Sequence, residues 1–387
     1  MPRAVREEIV VKVALVGCGK IAEAHASQIQ RIKGCEIVAV CDREILMARQ
    51  LYERFPVKAY YGDLATMLRE VAPDVVHITT SPESHFALAK ACLEADCHVY
   101  VEKPFTLYEH EARELIDLAN QRGRKITAGH DGQFSHVARR MRALIREGYL
   151  GNGPVHMESV YCYEMGESAY VRAFLGDKNH WLRRLPGMLL QNIISHGVAC
   201  VAEHLTSDSP TVVAHGLTSP FLKSRGETEI VDELRVIISE ESGATAYFTF
   251  SSQMRPALQT FRIYGDRNGL IADFNAEMLF KLRGARYKSF AAMFVPPLIF
   301  ARQCIGNLRT NLRYFRKKDF HLKSGMKCLI ESFYRSIEAG TEAPIPYREI
   351  VLTARIMDAI FQQIDQKHLR VEPGPDPSAA ALETLTK

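Results

Sequence analysis

The sequence predicts an α/β protein of two domains: an N-terminal doubly wound parallel sheet, then a C-terminal α+β domain with an open, mostly antiparallel sheet. Three observations predict it. Up to about residue 133, short apolar runs alternate with helical periodicities, as in a parallel sheet covered by helices. Beyond residue 150, longer strand-like runs follow one another with turn residues between them. A chain of 387 residues is also long enough for two cores.

The elements follow in order. Residues 11–16 form a short apolar strand, and Gly17-Cys18-Gly19-Lys20-Ile21-Ala22 turns the chain into a helix. Residues 36–41 are a second apolar strand ending on Asp42. Each part has a physical reason if the turn holds a dinucleotide. Gly17 permits a tight turn, Gly19 lets the backbone approach a pyrophosphate, and Ala22 is small enough for close helix–strand packing. The helix N-terminus offers free N–H groups and partial positive charge to the phosphates. Asp42, twenty residues beyond Ala22, can bond the adenosine ribose hydroxyls. This is the pattern of a Rossmann unit; the bland alternative is an ordinary βα turn with a solvated Asp.

Residues 44–54 read as a helix stopped by Pro56, and 57–60 as a strand. Asp63 is placed to cap a helix running to Glu70. A buried strand at 74–79, a helix at 83–95 and a strand at 97–101 continue the alternation. Thr106 and Glu109 have capping-box spacing before a helix ending at Gly123, and 125–128 is the sixth strand. The first domain is therefore 1–133. Val137, Met141, Leu144 and Ile145 mark an amphipathic helix, followed by a turn at Gly151-Asn152-Gly153-Pro154. Strands are expected at 155–163, 211–216, 229–239, 244–251, 261–264 and 270–274, with a hairpin turn at 265–269. A helix at 189–205 interrupts them, and two amphipathic helices, 326–338 and 347–366, return to the same domain. That domain spans 134–284 and 324–370. The tail, 371–387, has no periodic apolar face and is expected to be disordered.

Residues 285–323 form a basic amphipathic insertion. The apolar run 290–300 is too short to span a bilayer. Leu298, Ala301, Ile305, Leu308, Leu312 and Phe315 recur at helical spacing, with Arg302, Arg309, Arg313 and Arg316 beside them and Lys317 and Lys318 after. One reading is a helix packed on its own domain with a solvated basic flank. The other is a helix lying on an anionic membrane surface through 290–318.

Composition narrows the function. Hydrophobic content of 47% and charged content of 24% are ordinary for a soluble globular protein. A net charge of +4 without a basic patch gives no reason to expect nucleic acid. Nine cysteines without C-x-x-C spacing argue against zinc-knuckle or thioredoxin chemistry and for a reduced, cytoplasmic setting, with contact at the inner membrane surface as an extension. No metal is expected, since no His/Asp/Glu cluster has ligand spacing.

Two further stretches carry chemistry. Thr79-Thr80-Ser81-Pro82-Glu83-Ser84-His85 follows one sheet strand and Glu102-Lys103-Pro104 the next. Loops at the carboxyl ends of such strands line the ligand crevice. A lysine there can polarise a substrate oxygen and share its proton as hydride moves. The bland alternative is a surface lysine at a strand end.

With these motifs at this spacing, the chain resembles the Gfo/Idh/MocA family of nicotinamide-dependent oxidoreductases, the glucose–fructose oxidoreductase and inositol dehydrogenase group, over about residues 10–280 and 325–366. The resemblance implies that Gly17, Gly19 and Ala22 form the phosphate turn, lined by Lys20 and Ile21. It gives Asp42 the adenosine ribose and a preference for NAD, because an acid repels the 2′-phosphate of NADP; Arg43 beside it keeps NADP open. Thr79, Pro82 and His85 would line the nicotinamide half, and Glu102 and Lys103 would hold the nicotinamide ribose and substrate. Typical members carry Asp, three residues, then His on a second-domain helix. Here His196 matches the His, and Asn192 stands where the acid is usual. Asn cannot ionise, so acid–base work falls to His196 or Lys103, the catalytic set being Lys103, His196 and Asn192. His130, Asp131, Tyr161, Tyr163, Trp181 and Arg183 are softer candidates. The expected activity is hydride transfer between NAD(P) and a hydroxyl or carbonyl of a sugar, sugar nucleotide or polyol. Asn192 motivates the alternative, a non-catalytic dinucleotide-binding scaffold or regulator. A homo-oligomer, dimer or tetramer, is implied through the open sheet face.

Overall fold

The computed structural model describes residues 11–164, 169–284, 287–321 and 323–368; the tail expected at 371–387 lies outside them. Its first sheet contains β1 (Val11–Val16), β2 (Cys35–Cys41), β3 (Val57–Tyr61), β4 (Val75–Ile78), β5 (His98–Val101) and β6 (Ile126–Ala128), in the order β3-β2-β1-β4-β5-β6. Every pairing is parallel. Successive residues such as Val13, Ala14 and Leu15, or Val99, Tyr100 and Val101, are all 0% exposed. Neighbours on a strand point to opposite faces, so both faces are covered, as a parallel sheet requires.

The expected Asp63 cap is present, accepting from the Thr66 N–H at 2.7 Å. The capping box is not where the sequence suggests. The helix is Glu109–Gln121, and Glu111, not Glu109, accepts from the N–H of Tyr108 at 3.3 Å. Glu109 is already committed to Arg113 and Arg355, at 2.7 and 2.8 Å. Thr106 instead donates to the Tyr108 carbonyl.

The second sheet has seven strands: β7 (Pro154–Cys162), β8 (Thr211–Leu217), β9 (Glu233–Ser239), β10 (Thr245–Ser251), β11 (Gln259–Gly265), β12 (Asn268–Asp273) and β13 (Met278–Arg283). Their order is β13-β12-β11-β7-β10-β9-β8. β7 and β10 pair parallel and the other neighbours antiparallel. Edge strand β13 was not legible in the sequence. Its unpaired edge is met by side-chain amides of the helix Ala291–Arg316: Asn307 accepts from the Leu279 N–H at 3.1 Å and donates to its carbonyl at 3.0 Å. Gln303 treats Lys281 in the same way, at 2.7 and 3.2 Å.

Three assignments change. The helix Ser324–Ala339 belongs to the first core, where Met326, Leu329, Ile330, Phe333 and Tyr334 are buried, rather than to the second domain. Gly325 allows this approach, because a Cβ there would lie 2.3 Å from the Asp131 carbonyl oxygen. The helix Tyr347–His368 straddles both cores, with Ile350 and Ala354 in the first and Ile356, Met357 and Ile360 in the second. The helix expected at 189–205 is two helices, Met188–Ile193 and Ser195–Ala202, separated at Ile194.

A buried network links these parts. Arg142 pairs with Glu203 at 2.5 Å, and Gln133 reaches Glu203 at 3.0 Å and Glu349 at 3.5 Å. Burial, then repulsion from Glu203, pushes Glu349 up to about 7. The folded state therefore holds this proton more tightly than the unfolded chain. The stability so gained is full below the ordinary carboxylate range and is lost as pH rises through about 7. Glu349→Gln is expected to stabilise the protein by on the order of 2 kcal/mol at pH 8 and hardly at all near pH 4. Thermal melts at both pH values check this, and equal melting temperatures at pH 8 would sink it.

Candidate active site

The order of the first sheet reverses between β1 and β4, which opens a crevice beyond their carboxyl ends. Gly17 has φ +90°, and a Cβ there would lie 2.6 Å from Thr80 Cγ2 and 2.8 Å from the Thr80 nitrogen. Only glycine fits. Thr79 Oγ1 ties the two loops by donating to the Gly17 carbonyl at 2.6 Å. Gly19 starts the helix Lys20–Ile29, and a Cβ on it would meet nothing within 4 Å. Asp42 accepts from the Cys18 N–H at 2.7 Å and the Glu44 N–H at 2.9 Å, which fixes its carboxylate at the end of β2. Gly17, Gly19, Asp42, Arg43, Thr79 and Thr80 line a groove of about 590 Å³. Arg184 of the second domain also lines it.

Lys20, Ile21, Pro82 and His85 are not among the residues lining this groove. Lys20 is exposed on the helix surface, and Ile21 packs against the first core. Pro82 is buried at the start of the short turn Pro82–Ser84. His85 is 0% exposed and braces two loops from beneath, its Nδ1 2.8 Å from the Pro104 carbonyl and its Nε2 3.2 Å from that of Thr80. The short turn directs these side chains inward, so they shape the loop instead of lining the groove.

Glu102, Lys103, Asn192 and His196 do come together. The Lys103–Pro104 peptide is cis. Glu102 is 5% exposed and accepts from the Lys103 N–H at 3.1 Å. Burial pushes its carboxyl up, but the His25 hydrogen bond and the charge of Lys103 prevail and hold it at about 2. Lys103 Nζ donates to the Asn192 carbonyl at 2.9 Å, with Asn192 Oδ1 at 3.5 Å. Asn192 lies in the last turn of the helix Met188–Ile193, just before the break at Ile194. Burial pushes the Lys103 ammonium down, against the pull of Glu102 and Asp131.

His196 stacks on Tyr161, with ring centroids 6.0 Å apart, and its Nδ1 lies 3.8 Å from Asp131 Oδ1. Burial, then the charge of Lys103, pushes His196 down to about 3, so its ring is neutral. Asp131 also faces Lys323 Nζ at 3.9 Å. Asp131, Tyr161, His196 and Lys323 line a cavity of about 260 Å³. His130, 2% exposed, has neither ring nitrogen hydrogen-bonded among the described residues. The site's carboxylate thus comes from the end of β6, where Asp131 follows His130, while position 192 holds an amide. Of the softer candidates, Arg183 is committed to Glu227 at 2.5 Å. Lys323 was missed, since nothing in its sequence context marks it.

A buried chain behind Glu102 was also missed. Tyr334 Oη lies 2.7 Å from His77 Nε2, His77 Nδ1 lies 2.9 Å from His25 Nδ1, and His25 Nε2 lies 2.9 Å from Glu102 Oε1. With one proton on each ring, one assignment satisfies every contact: Tyr334 donates to His77, His77 to His25, and His25 to the carboxylate. A signal existed. His25 occupies an inward position beside Ala22 and Ala26, and His77 interrupts an apolar strand.

Comparison with known proteins agrees with this frame. The model for the oxidoreductase family, NAD-binding Rossmann fold, matches residues 11–130, and that for the GFO/IDH/MocA C-terminal domain matches residues 138–271. The chain belongs to the Gfo/Idh/MocA family. D-glucoside 3-dehydrogenase of Escherichia coli is 32% identical over 142 residues, which are 36% of this chain and 40% of that protein. D-apiose dehydrogenase of Paraburkholderia graminis is 25% identical over 255 residues, 65% of this chain and 63% of that protein. The chain thus spans less than two thirds of both curated relatives. The WlbA dehydrogenase of Bordetella pertussis, solved with NADH and UDP-GlcNAcA, superposes with a TM-score of 0.74 at 15% identity, covering 92% of this chain and 96% of that one, and so shares the fold. No group of three or more His, Cys, Asp or Glu side chains among the described residues is arranged to hold a metal ion.

Proposed function

We propose that this Gfo/Idh/MocA member is an NAD-dependent dehydrogenase acting on a hydroxyl-bearing carbon of a sugar, sugar nucleotide or polyol. The observation that carries the reading is the half-buried Lys103 ammonium, pushed down by desolvation and held 2.9 Å from the Asn192 carbonyl in a cluster with Glu102, Asp131 and His196. The groove fits the cofactor. Gly19 leaves room at a helix N-terminus for a pyrophosphate, and the tethered Asp42 carboxylate can take the ribose hydroxyls. When bound, the nicotinamide supplies the hydride acceptor. Lys103 takes the alcohol proton as the C–H hydride leaves, once its ammonium has released a proton to solvent, and burial lowers the cost of that release. Asn192 holds Lys103 in place, while Asp131 and Lys323 offer contacts to substrate hydroxyls.

The test is nicotinamide absorbance at 340 nm in single turnover against a panel of sugars, polyols and sugar nucleotides. Tight NADH binding with no hydride exchange on any of them would favour the scaffold reading that Asn192 motivates. Asp42→Ala is expected to weaken NADH roughly 10–100-fold and NADPH less, read by fluorescence titration; an unchanged NADH affinity would remove Asp42 from the cofactor site. Assembly into a homo-oligomer through the second sheet is part of the proposal. Val213, Ile237 and Tyr247 lie in register across β8, β9 and β10 and are 56, 51 and 50% exposed. A peripheral contact with a membrane surface through 290–318 completes it.

A further inference from the structure

The helix Ala291–Arg316 is amphipathic in the opposite sense to an ordinary surface helix. Its amide side chains face the protein. Asn307 and Gln303 bond the backbone of β13, Asn311 donates to the Ala276 carbonyl at 3.0 Å, and Tyr314 stacks on His136 at 3.9 Å. Its apolar side chains face outward: Met293, Phe294, Leu298, Leu308, Leu312 and Phe315 are 71, 67, 65, 59, 43 and 67% exposed. A row of large apolar side chains this long on a water-facing surface marks a contact site.

Charge chooses the occupant. Residues 287–318 contain seven Lys and Arg and no Asp or Glu. A second copy of this face, related by a two-fold axis, would bring like charge against like charge. An anionic surface would not. Behind the helix, Arg140, Lys281, Arg283 and Arg302 converge on a groove of about 620 Å³ between the helix and β13. Arg140 Nη2 is bonded to Asn307 at 2.9 Å, while its buried Nη1 has no hydrogen-bond partner among the described residues. The groove therefore holds converging cations, one with a donor to spare.

We infer that the helix Ala291–Arg316 docks on an anionic phospholipid bilayer, its apolar row entering the headgroup–acyl boundary and the groove behind it taking a headgroup phosphate. This rests on the peripheral contact proposed above and names its lipid. No helix among the described residues is long and apolar enough to cross a membrane, so the contact is interfacial. The apolar row supplies insertion and the basic flank supplies attraction, which salt screens.

The test is co-sedimentation of the full chain with vesicles of phosphatidylcholine alone or mixed with phosphatidylglycerol. Binding to the mixed vesicles is expected, weaker by on the order of tenfold or more on phosphatidylcholine alone and in about 0.5 M salt. Phe294→Ser with Leu298→Ser should abolish it while leaving hydride transfer to a soluble substrate unchanged. Arg283→Ala with Arg302→Ala should weaken binding to the mixed vesicles only. Equal binding to both vesicle types would overturn the anionic headgroup site and leave the membrane contact standing. No binding to either would overturn both. Sedimentation velocity gives the third outcome: if the serine variant changes the oligomeric state, the face is an interface between copies and the inference fails.

Discussion

Lys103→Met is expected to lower kcat for hydride transfer by about 10²–10⁴-fold while the Kd for NADH stays within about twofold. The reason lies in the cluster around the ammonium. Methionine keeps the length and burial of the lysine stem but has no group to take or give a proton. It also leaves the Asn192 carbonyl, now bonded at 2.9 Å, without its donor. The cofactor groove is lined by other residues, so cofactor affinity should hold. Lys103→Arg separates charge from proton transfer, because arginine keeps the charge and cannot release its proton. If charge alone matters, arginine restores most of the rate; if proton transfer matters, it does not. A methionine variant with near-normal kcat would remove Lys103 from the chemistry and move the burden to His196.

His25→Leu is expected to destabilise the fold by about 3–5 kcal/mol at neutral pH. The change leaves the buried Glu102 carboxylate without its donor at 2.9 Å and His77 without its acceptor. The pH dependence follows from Glu102. Its carboxyl is held at about 2 in the folded state, below the ordinary carboxylate range, so the stability it contributes is full above that range and is lost as pH falls toward about 2. The deficit of the variant should therefore be largest at neutral pH and shrink in acid, where Glu102 of the variant protonates. Denaturant melts at pH 7 and pH 4 measure this. Glu102→Gln in the His25→Leu background should recover part of the loss, and no recovery would mean that packing rather than charge is responsible.

The first sheet was legible because its strands are short, mostly apolar runs alternating with helical periodicities, and the glycine turn has its strand, helix and acid at the required distances. The second domain was legible in outline. β13 escaped because its alternation of Met, Phe and Leu with Lys and Arg resembles the basic helix that follows it. The break at Ile194 escaped because no proline or glycine marks it, and nothing local says that the helix must yield a carbonyl to Lys103. The site was half legible. Motifs placed Lys103, Asn192 and His196 near one another, but Asp131 and Lys323 meet only because residues 131 and 323 are brought together by a helix assigned to the other domain. His85 failed for a related reason: its motif gives its position along the chain but not the direction of its side chain. The amphipathic helix was visible as a pattern, yet which face would be covered depends on an edge strand that the pattern does not reveal.

The first core closes only when Met326 to Tyr334, and then Ile350 and Ala354, have packed onto it. This sets an order of assembly during synthesis. When residue 133 leaves the ribosome, all six parallel strands exist, but part of their covering does not. The missing helices lie up to 221 residues downstream, roughly ten to forty seconds at ~5–20 residues per second. For that interval the nascent nucleotide-binding half carries an open apolar surface, a natural site for a chaperone to hold. A cut between the two domains in sequence would make the exposure permanent. The two halves are separate in their sheets, but the first cannot be finished without chain that follows the second.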